Sequence, residues 1–532
     1  MIAPGRMQPS YKMRGGQPTP KIPAQLYSFA APRRGWVLDE NRLQAQPGAA
    51  QVLDNWFPTT SGIRVRGGAN RYATIVGAAK SLFTYKSATT EKLFACTNRR
   101  VYDISTISDP TAVYETSEVG SRSSGDYITT QFGTAGGDYL YAVNGADEPL
   151  LYDGATFTAI TGVSVPAITG IDPNTFSHVW SYANRLFFIE KNSMSAWYLP
   201  VDSIGGAAQE FSLAGVFTKG GYLLAGTRWS LDTGDGLDDK CVFISSQGEV
   251  AIYQGGNPSS ASDWFKVGLY DITEPLGPKA ILQAGGDVII ATKTGLVPIS
   301  QAVSRDVAVL GAGAISKPIA PYWQSKASTL IGGWDVARVS GSGALYVTQP
   351  GDNSMLVVNT TTGAWSRYTG WNARAITVFQ GVGYFADNVN GVFIMEDGGS
   401  DDGEPYTARY LGLHEMMGVG MARKTVSQMR YALTSSVALN PLLSVSVDFG
   451  DEASTAPATG ADGVTPMWNV TNWDEAYWDG GAPEIVVSGW QSIGKSGFVV
   501  APELALTFDI QITPDVELMA IDATFHVGAV VA

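Results

Sequence analysis

Few residues in this 532-residue chain have the types and spacing that chemistry requires. The three histidines, His178, His414 and His526, include no pair at a metal-ligand spacing, so each reads as a satisfied structural residue of a β framework. Cys96 and Cys241 can neither staple a chain of this size nor build a cysteine-rich metal site; a reduced, cytoplasmic origin fits them. The sharpest metal candidate is the run from Asp232 through Asp235 and Asp238 to Asp239, whose carboxylates could offer oxygens to Ca²⁺. Its acids miss the alternate positions of an EF-hand loop, and Asp-Gly pairs are ordinary turn formers, so a turn is the expected reading. Arg66-Gly67-Gly68 lacks the Lys-Ser/Thr that completes a phosphate-cradling loop. No Gly-x-Ser-x-Gly or Cys/His arrangement is present, arginine is sparse, and the Ser-x-Asp-x-Gly-x-Thr-Trp box of sialidases is absent. The sequence therefore predicts no catalytic residue, no cofactor and no bound metal.

What the chain does carry is a repeated structural unit. Aromatic and β-branched runs recur at Leu93 to Thr97, Tyr139 to Val143, Leu186 to Glu190, Val242 to Ser245, Val288 to Thr292, Ala344 to Thr348 and Gly381 to Phe385. Each reads as the first strand of a hairpin, followed by a polar or Gly turn and a second run. Their separation of roughly 40 to 57 residues is that of propeller blades. The expected fold is all-β: a β-propeller of about seven blades, with six to eight admissible, a smaller C-terminal β domain and an extended N-terminal arm.

Composition agrees with that reading. Glycine is abundant at 61, aromatics make up 11% and charged residues only 16%, which suits strands and tight turns. No apolar stretch approaches the length of a membrane span, and the N-terminus lacks the apolar core of a secretory signal. The net charge of −14 conceals a division: residues 1–100 hold 15 Lys/Arg against 4 Asp/Glu, and the remainder holds 20 against 45. A basic N-terminal portion can meet another subunit or nucleic acid, whereas an acidic body resists the phosphate backbone.

The expected boundaries follow from composition shifts. Residues 1–32 form a basic arm rich in Pro, Gly and Gln, ordered only if a neighbour holds it. Residues 33–78 join the arm to the propeller, with a short helical turn over Pro47 to Asn55 and a strand at Ile63 to Arg66. The propeller occupies 79–396, an acidic Gly-rich linker 397–405, and the C-terminal β domain 406–532. That last domain has alternating strands at Leu442 to Gly450 and Glu503 to Ile512, and a Trp/Asp-rich loop over 451–489 carrying Trp468, Trp473 and Trp478. These tryptophans read as packing anchors before sugar platforms.

The stretch Gly35 to Gly68, which contains Trp36, Asn55, Trp56, Phe57, Pro58, Val65, Arg66, Gly67 and Gly68, resembles the N-terminal signature of tail nozzle or hub proteins (tail tube protein B type) of short-tailed bacteriophages. A second similar stretch runs from Asp235 to Gly277 and resumes from Gly285 to Ser300, so the resemblance covers somewhat under half of the chain. It implies a non-enzymatic virion structural protein, usually a hexameric ring below the portal and adaptor. Such a ring mounts fibres or spikes and passes double-stranded DNA during ejection. Read without the family, Arg64 and Arg66 alternate with Ile63 and Val65, which puts both arginines on one face, toward water or toward acids of a neighbouring subunit. Trp56-Phe57-Pro58 reads as an apolar plug at a blade or subunit seam, or as an ordinary core. A host-receptor or glycan-binding propeller and a propeller glycosidase or lyase are the alternative readings.

Overall fold

The computed structural model describes residues 23–39, 46–107, 110–115, 122–232, 237–330, 332–349, 351–420, 422–437, 439–450 and 484–528. Within them the regular structure is mostly strand, and the strands form a β-propeller plus a C-terminal β region. Blades 1 to 4 are four-stranded antiparallel sheets over 81–115, 128–159, 176–212 and 223–271. Blade 5 has three strands over 281–298, and short helices cover the side where a fourth would lie. Blade 6 comprises the four strands of 335–369. Blade 7 takes three strands from 375–395 and its fourth, Ala69–Thr74, from near the N-terminus, which closes the circle. Six blades are thus separate sheets, and the seventh, blade 6, is one half of an eight-stranded sheet. Closure matters because an unpaired blade edge would expose a row of backbone donors and acceptors.

The apolar runs that reveal the repeat are the second strands of their blades, not the first. Leu93 to Thr97 pairs back onto Ser81–Lys86, Tyr139 to Val143 onto Ile128–Thr134, and Ala344 to Thr348 onto Asp335–Val339. The reason is burial: second strands lie between neighbouring blades, and Ala344–Thr348 is buried at every position. The true first strands face the propeller axis and carry polar residues on that side, as in Ile128–Thr134, which weakens their apolar signal.

The expected separation into propeller, linker and C-terminal domain gives way to an interwoven arrangement. The last strand of blade 6, Trp365–Thr369, continues through Ala50–Asp54 into Tyr406–Gly412, Val500–Phe508 and Leu442–Val447. The second large sheet runs Trp56–Pro58, Ile63–Val65, Val516–Val527, Lys424–Ser435 and Glu484–Val487. The largest core lies where these sheets meet and includes Trp56, Trp365, Tyr406, Met429, Leu504, Ile521 and Phe525. The helical turn expected over Pro47 to Asn55 is instead the strand Ala50–Asp54, because Leu53 and Ala50 fill that core in extended form. Part of the expected arm is ordered by the chain itself: Gln25–Ala30 pairs antiparallel with residues 520–525. Residues 1–22 lie outside the described residues, as do Trp468, Trp473 and Trp478.

Candidate functional site

The residues singled out at Gly35 to Gly68 converge on one buried joint between propeller and C-terminal region. Arg66 sits at its centre, fully buried. Its guanidinium donates to Asp401 Oδ1 and Oδ2 at 2.9 and 2.6 Å, to Asn55 Oδ1 at 2.8 Å, and to the carbonyls of Gly67 and Thr369 at 2.8 and 3.1 Å. The cation also lies 4.0 Å from the Tyr406 ring centre and 4.7 Å from that of Trp371. Burial works against its charge, but the pair with Asp401 raises its pKa above the ordinary arginine range. Neither expected environment for Arg66, water or another subunit, holds: its acid comes from the same chain. Arg64, half-buried, instead lies 5.9 Å from the Phe57 ring centre.

The surrounding residues serve the same joint. Asn55, in left-handed backbone at φ 61°, donates to Thr369 Oγ1 and Thr407 O and accepts from Thr369 N. Its short side chain tolerates that conformation better than most. A Cβ on Gly68 would lie 2.0 Å from Ser400 O, and one on Gly67 would lie 2.6 Å from the Glu396 backbone. Only glycine lets these two segments cross so closely. Residues 397–405 are therefore clamped rather than a free linker: Gly68 N donates to Gly398 O, and Asp401 carries the Arg66 pair. Trp56 is wholly buried, Pro58 O accepts from Asn359 Nδ2 at 2.8 Å, and Trp36 Nε1 donates to Gln51 O at 2.8 Å. Beside Trp36, Arg367 forks onto Asp54 with two contacts of 2.8 Å.

The aspartate run lies at the tip of the first hairpin of blade 4, where Asp232 stands opposite Leu237. Asp235 falls outside the described residues, and Asp239 accepts from Ser230 Oγ. Among the described residues no three His, Cys, Asp or Glu side chains gather as a metal site. His414 is buried between Gln51 and Ser446, and both cysteines are buried. Burial pushes the Cys96 thiol up to about 12, which makes it unreactive.

A second region, which no sequence motif marks, is the propeller axis. A cavity of about 540 Å³ there is lined by residues of all seven first strands, among them Leu82, Ile128, Val179, Thr227, Ile281, Val336 and Ile376. Its polar wall carries His178, Arg228, Lys279, Gln283 and Asp335. His178 shares a 2.9 Å hydrogen bond with Gly226 O through Nε2, while Nδ1 has no partner; burial holds its pKa down to about 4. Asp335 is pushed up to about 6, chiefly by desolvation, against the pull of Lys279. At the end where the first strands begin, the cavity adjoins a recess of about 290 Å³ lined by Lys80, Asp126, Lys279, Trp334 and Arg374, with Ile128, Pro278 and Lys279 common to both. Lys279 is ion-paired with Asp126. Burial, and then the Arg374 charge, hold Lys80 below its ordinary range, and Arg374 Nε is buried with no hydrogen-bond partner. A signal for these residues did exist: Lys80, Arg374 and Trp334 each immediately precede a first strand.

No known family matches the chain, and no curated protein matches it either. Among solved structures it is similar to the extracellular domain of a hybrid two-component system from B. thetaiotaomicron, at 10% identity and a TM-score of 0.39. The match covers 62% of this chain and 41% of that one, so this chain spans under half the length of that neighbour.

Proposed function

We propose that the chain is a virion structural subunit, the nozzle or hub of a short phage tail. Its copies would form a ring, expected as a hexamer, that seats portal or adaptor proteins, mounts fibres or spikes, and surrounds the departing genome. The observation that carries this reading is the joint: the residues of the tail-protein resemblance are spent on locking a propeller rigidly to a second β body. That is a mechanical use of arginine, asparagine and glycine, suited to a part that holds its shape under load.

The propeller's own axis is not the conduit. Its cavity of about 540 Å³ is bounded by side chains from seven strands, whereas the major groove of a DNA duplex alone is about 12 Å wide. The conduit in this proposal is the hole between ring subunits, where an acidic surface would let phosphates slide. Native mass spectrometry with negative-stain class averages tests the proposal, run with and without the adaptor or portal ring. A closed ring with a central hole supports it; a chain that stays monomeric on its own and on those rings would sink it.

A receptor- or glycan-binding propeller is the second reading, favoured by one observation, the unpartnered cations at one end of the axial cavity.

A further inference from the structure

We propose that the end of the propeller cavity where the first strands begin binds a small oxyanion, a carboxylate or a phosphate, carried on a ligand about the size of a monosaccharide. The site goes beyond the tail-hub reading and does not depend on ring formation.

Three observations carry it. The first is unsatisfied positive charge. Lys80 and Arg374 face one recess, no described side chain is hydrogen-bonded to the Lys80 ammonium, and Arg374 Nε is buried with no acceptor. Among the described residues the only acid lining the recess, Asp126, is ion-paired with Lys279, and its pull on Lys80 is outweighed by burial and by Arg374. Burial, and then the Arg374 charge, hold Lys80 below its ordinary range, so the two cations are together at a cost. A chain with 49 Asp and Glu against 35 Lys and Arg has no shortage of carboxylates to place there. Uncompensated like charges in a cleft are the physical mark of a site awaiting a counter-charge.

The second observation is shape. The recess of about 290 Å³ shares Ile128, Pro278 and Lys279 with the axial cavity of about 540 Å³, and their sizes suit a small ligand. Gly333 and Trp334 line one side, and the Trp334 indole, wholly buried in the core with its N–H committed to Leu330 O, anchors that wall from behind. The third is rigidity. Lys80, Arg374 and Trp334 each sit one residue ahead of a first strand of the propeller, so separate blades hold the cations at fixed positions. A planar guanidinium in such a position suits two parallel hydrogen bonds to a carboxylate or phosphate.

Isothermal titration of the full chain at low salt tests the proposal with three probes: glucuronate, inorganic phosphate and glucose. Saturable one-to-one binding of glucuronate or phosphate is expected, and none of glucose. Glucuronate binding without phosphate binding assigns a carboxylate ligand, and the reverse assigns a phosphate. The double variant Lys80→Gln with Arg374→Gln should weaken binding about tenfold or more. Arg228→Gln, further along the cavity, should retain at least half the affinity. If the double variant fails to fold, Lys80→Met alone must show the loss. Absence of binding by both anions at millimolar concentration, or binding untouched by the Lys80 variants, overturns the proposal.

Discussion

Two of the regions that bury or half-bury arginine treat it in opposite ways. At the joint, Arg66 meets a carboxylate, an amide, two carbonyls and three aromatic rings. At the cavity mouth, Arg374 has a buried Nε with no acceptor and a lysine beside it. A fully partnered buried charge makes a structure specific, because each partner must arrive in place. An incompletely partnered one is a cost the fold tolerates, and such costs gather where something else binds. Sequence alone singles out only the first of these regions. Its motif residues, read there as interface or structural, lie in a buried joint, while the cavity residues belong to no motif.

Removing the partner at the joint should have the largest effect. Asp401→Ala leaves Arg66 buried without its carboxylate, and chemical denaturation should show a loss of roughly 3–5 kcal/mol or failure to fold. A loss under about 1 kcal/mol would break the comparison, since Arg66 would then find other partners easily.

An intermediate effect, of opposite sign, is expected at Asp335→Asn. The native carboxyl is held at about 6 against an ordinary value of 3.8, so the folded state binds its proton more tightly than the unfolded chain does. Its ionised form therefore penalises folding. That penalty is absent below pH 3.8, grows between there and pH 6, and is complete above. The side chain is partly reachable from the cavity, so the gain on substitution at pH 7.5 should be roughly 1–2 kcal/mol, vanishing near pH 4. The charged groups facing it are Asp126 and Lys279, with His178 and Arg228 further along the wall and Arg374 and Lys80 at the mouth. His178, held down to about 4, stays neutral through most of that window. Thermal melts of both proteins from pH 4 to 8 read the difference, and a constant offset across that range would sink this account.

The smallest effect is expected at Lys80→Met. Relief of the repulsion from Arg374 offsets the lost solvation of the ammonium, so stability should change by no more than about 0.5 kcal/mol. A marked loss in the same unfolding assay would give Lys80 a structural role like that of Arg66 and erase the contrast between the two regions.

Much of the propeller was legible because its second strands are buried on both faces. Runs such as Leu186 to Glu190 and Ala344 to Thr348 are apolar for that reason, and their period gave a blade number of about seven. The first strands were not legible as such, since alternate residues face a polar cavity and dilute the pattern. The strand Ala50–Asp54 was misread as a helical turn because its Pro-Gly approach and short apolar content suit either state. At the joint, the need for Gly67 and Gly68 could not be inferred, because the backbone that excludes a Cβ comes from residues 396–400.

The sequence by itself determined that this chain is all-β, that its blades repeat, and that its N-terminal portion is basic and its body acidic. These follow from local burial and composition, which leave their mark residue by residue. Only the tertiary structure decided which charges are satisfied. Arg66 and Asp401 stand 335 residues apart and pair at 2.6 Å, while Lys80 and Arg374 converge from opposite ends of the propeller segment on a recess whose acid, Asp126, is paired with Lys279. Whether a charge has a partner depends on distances across the fold, and no pattern along the chain records them.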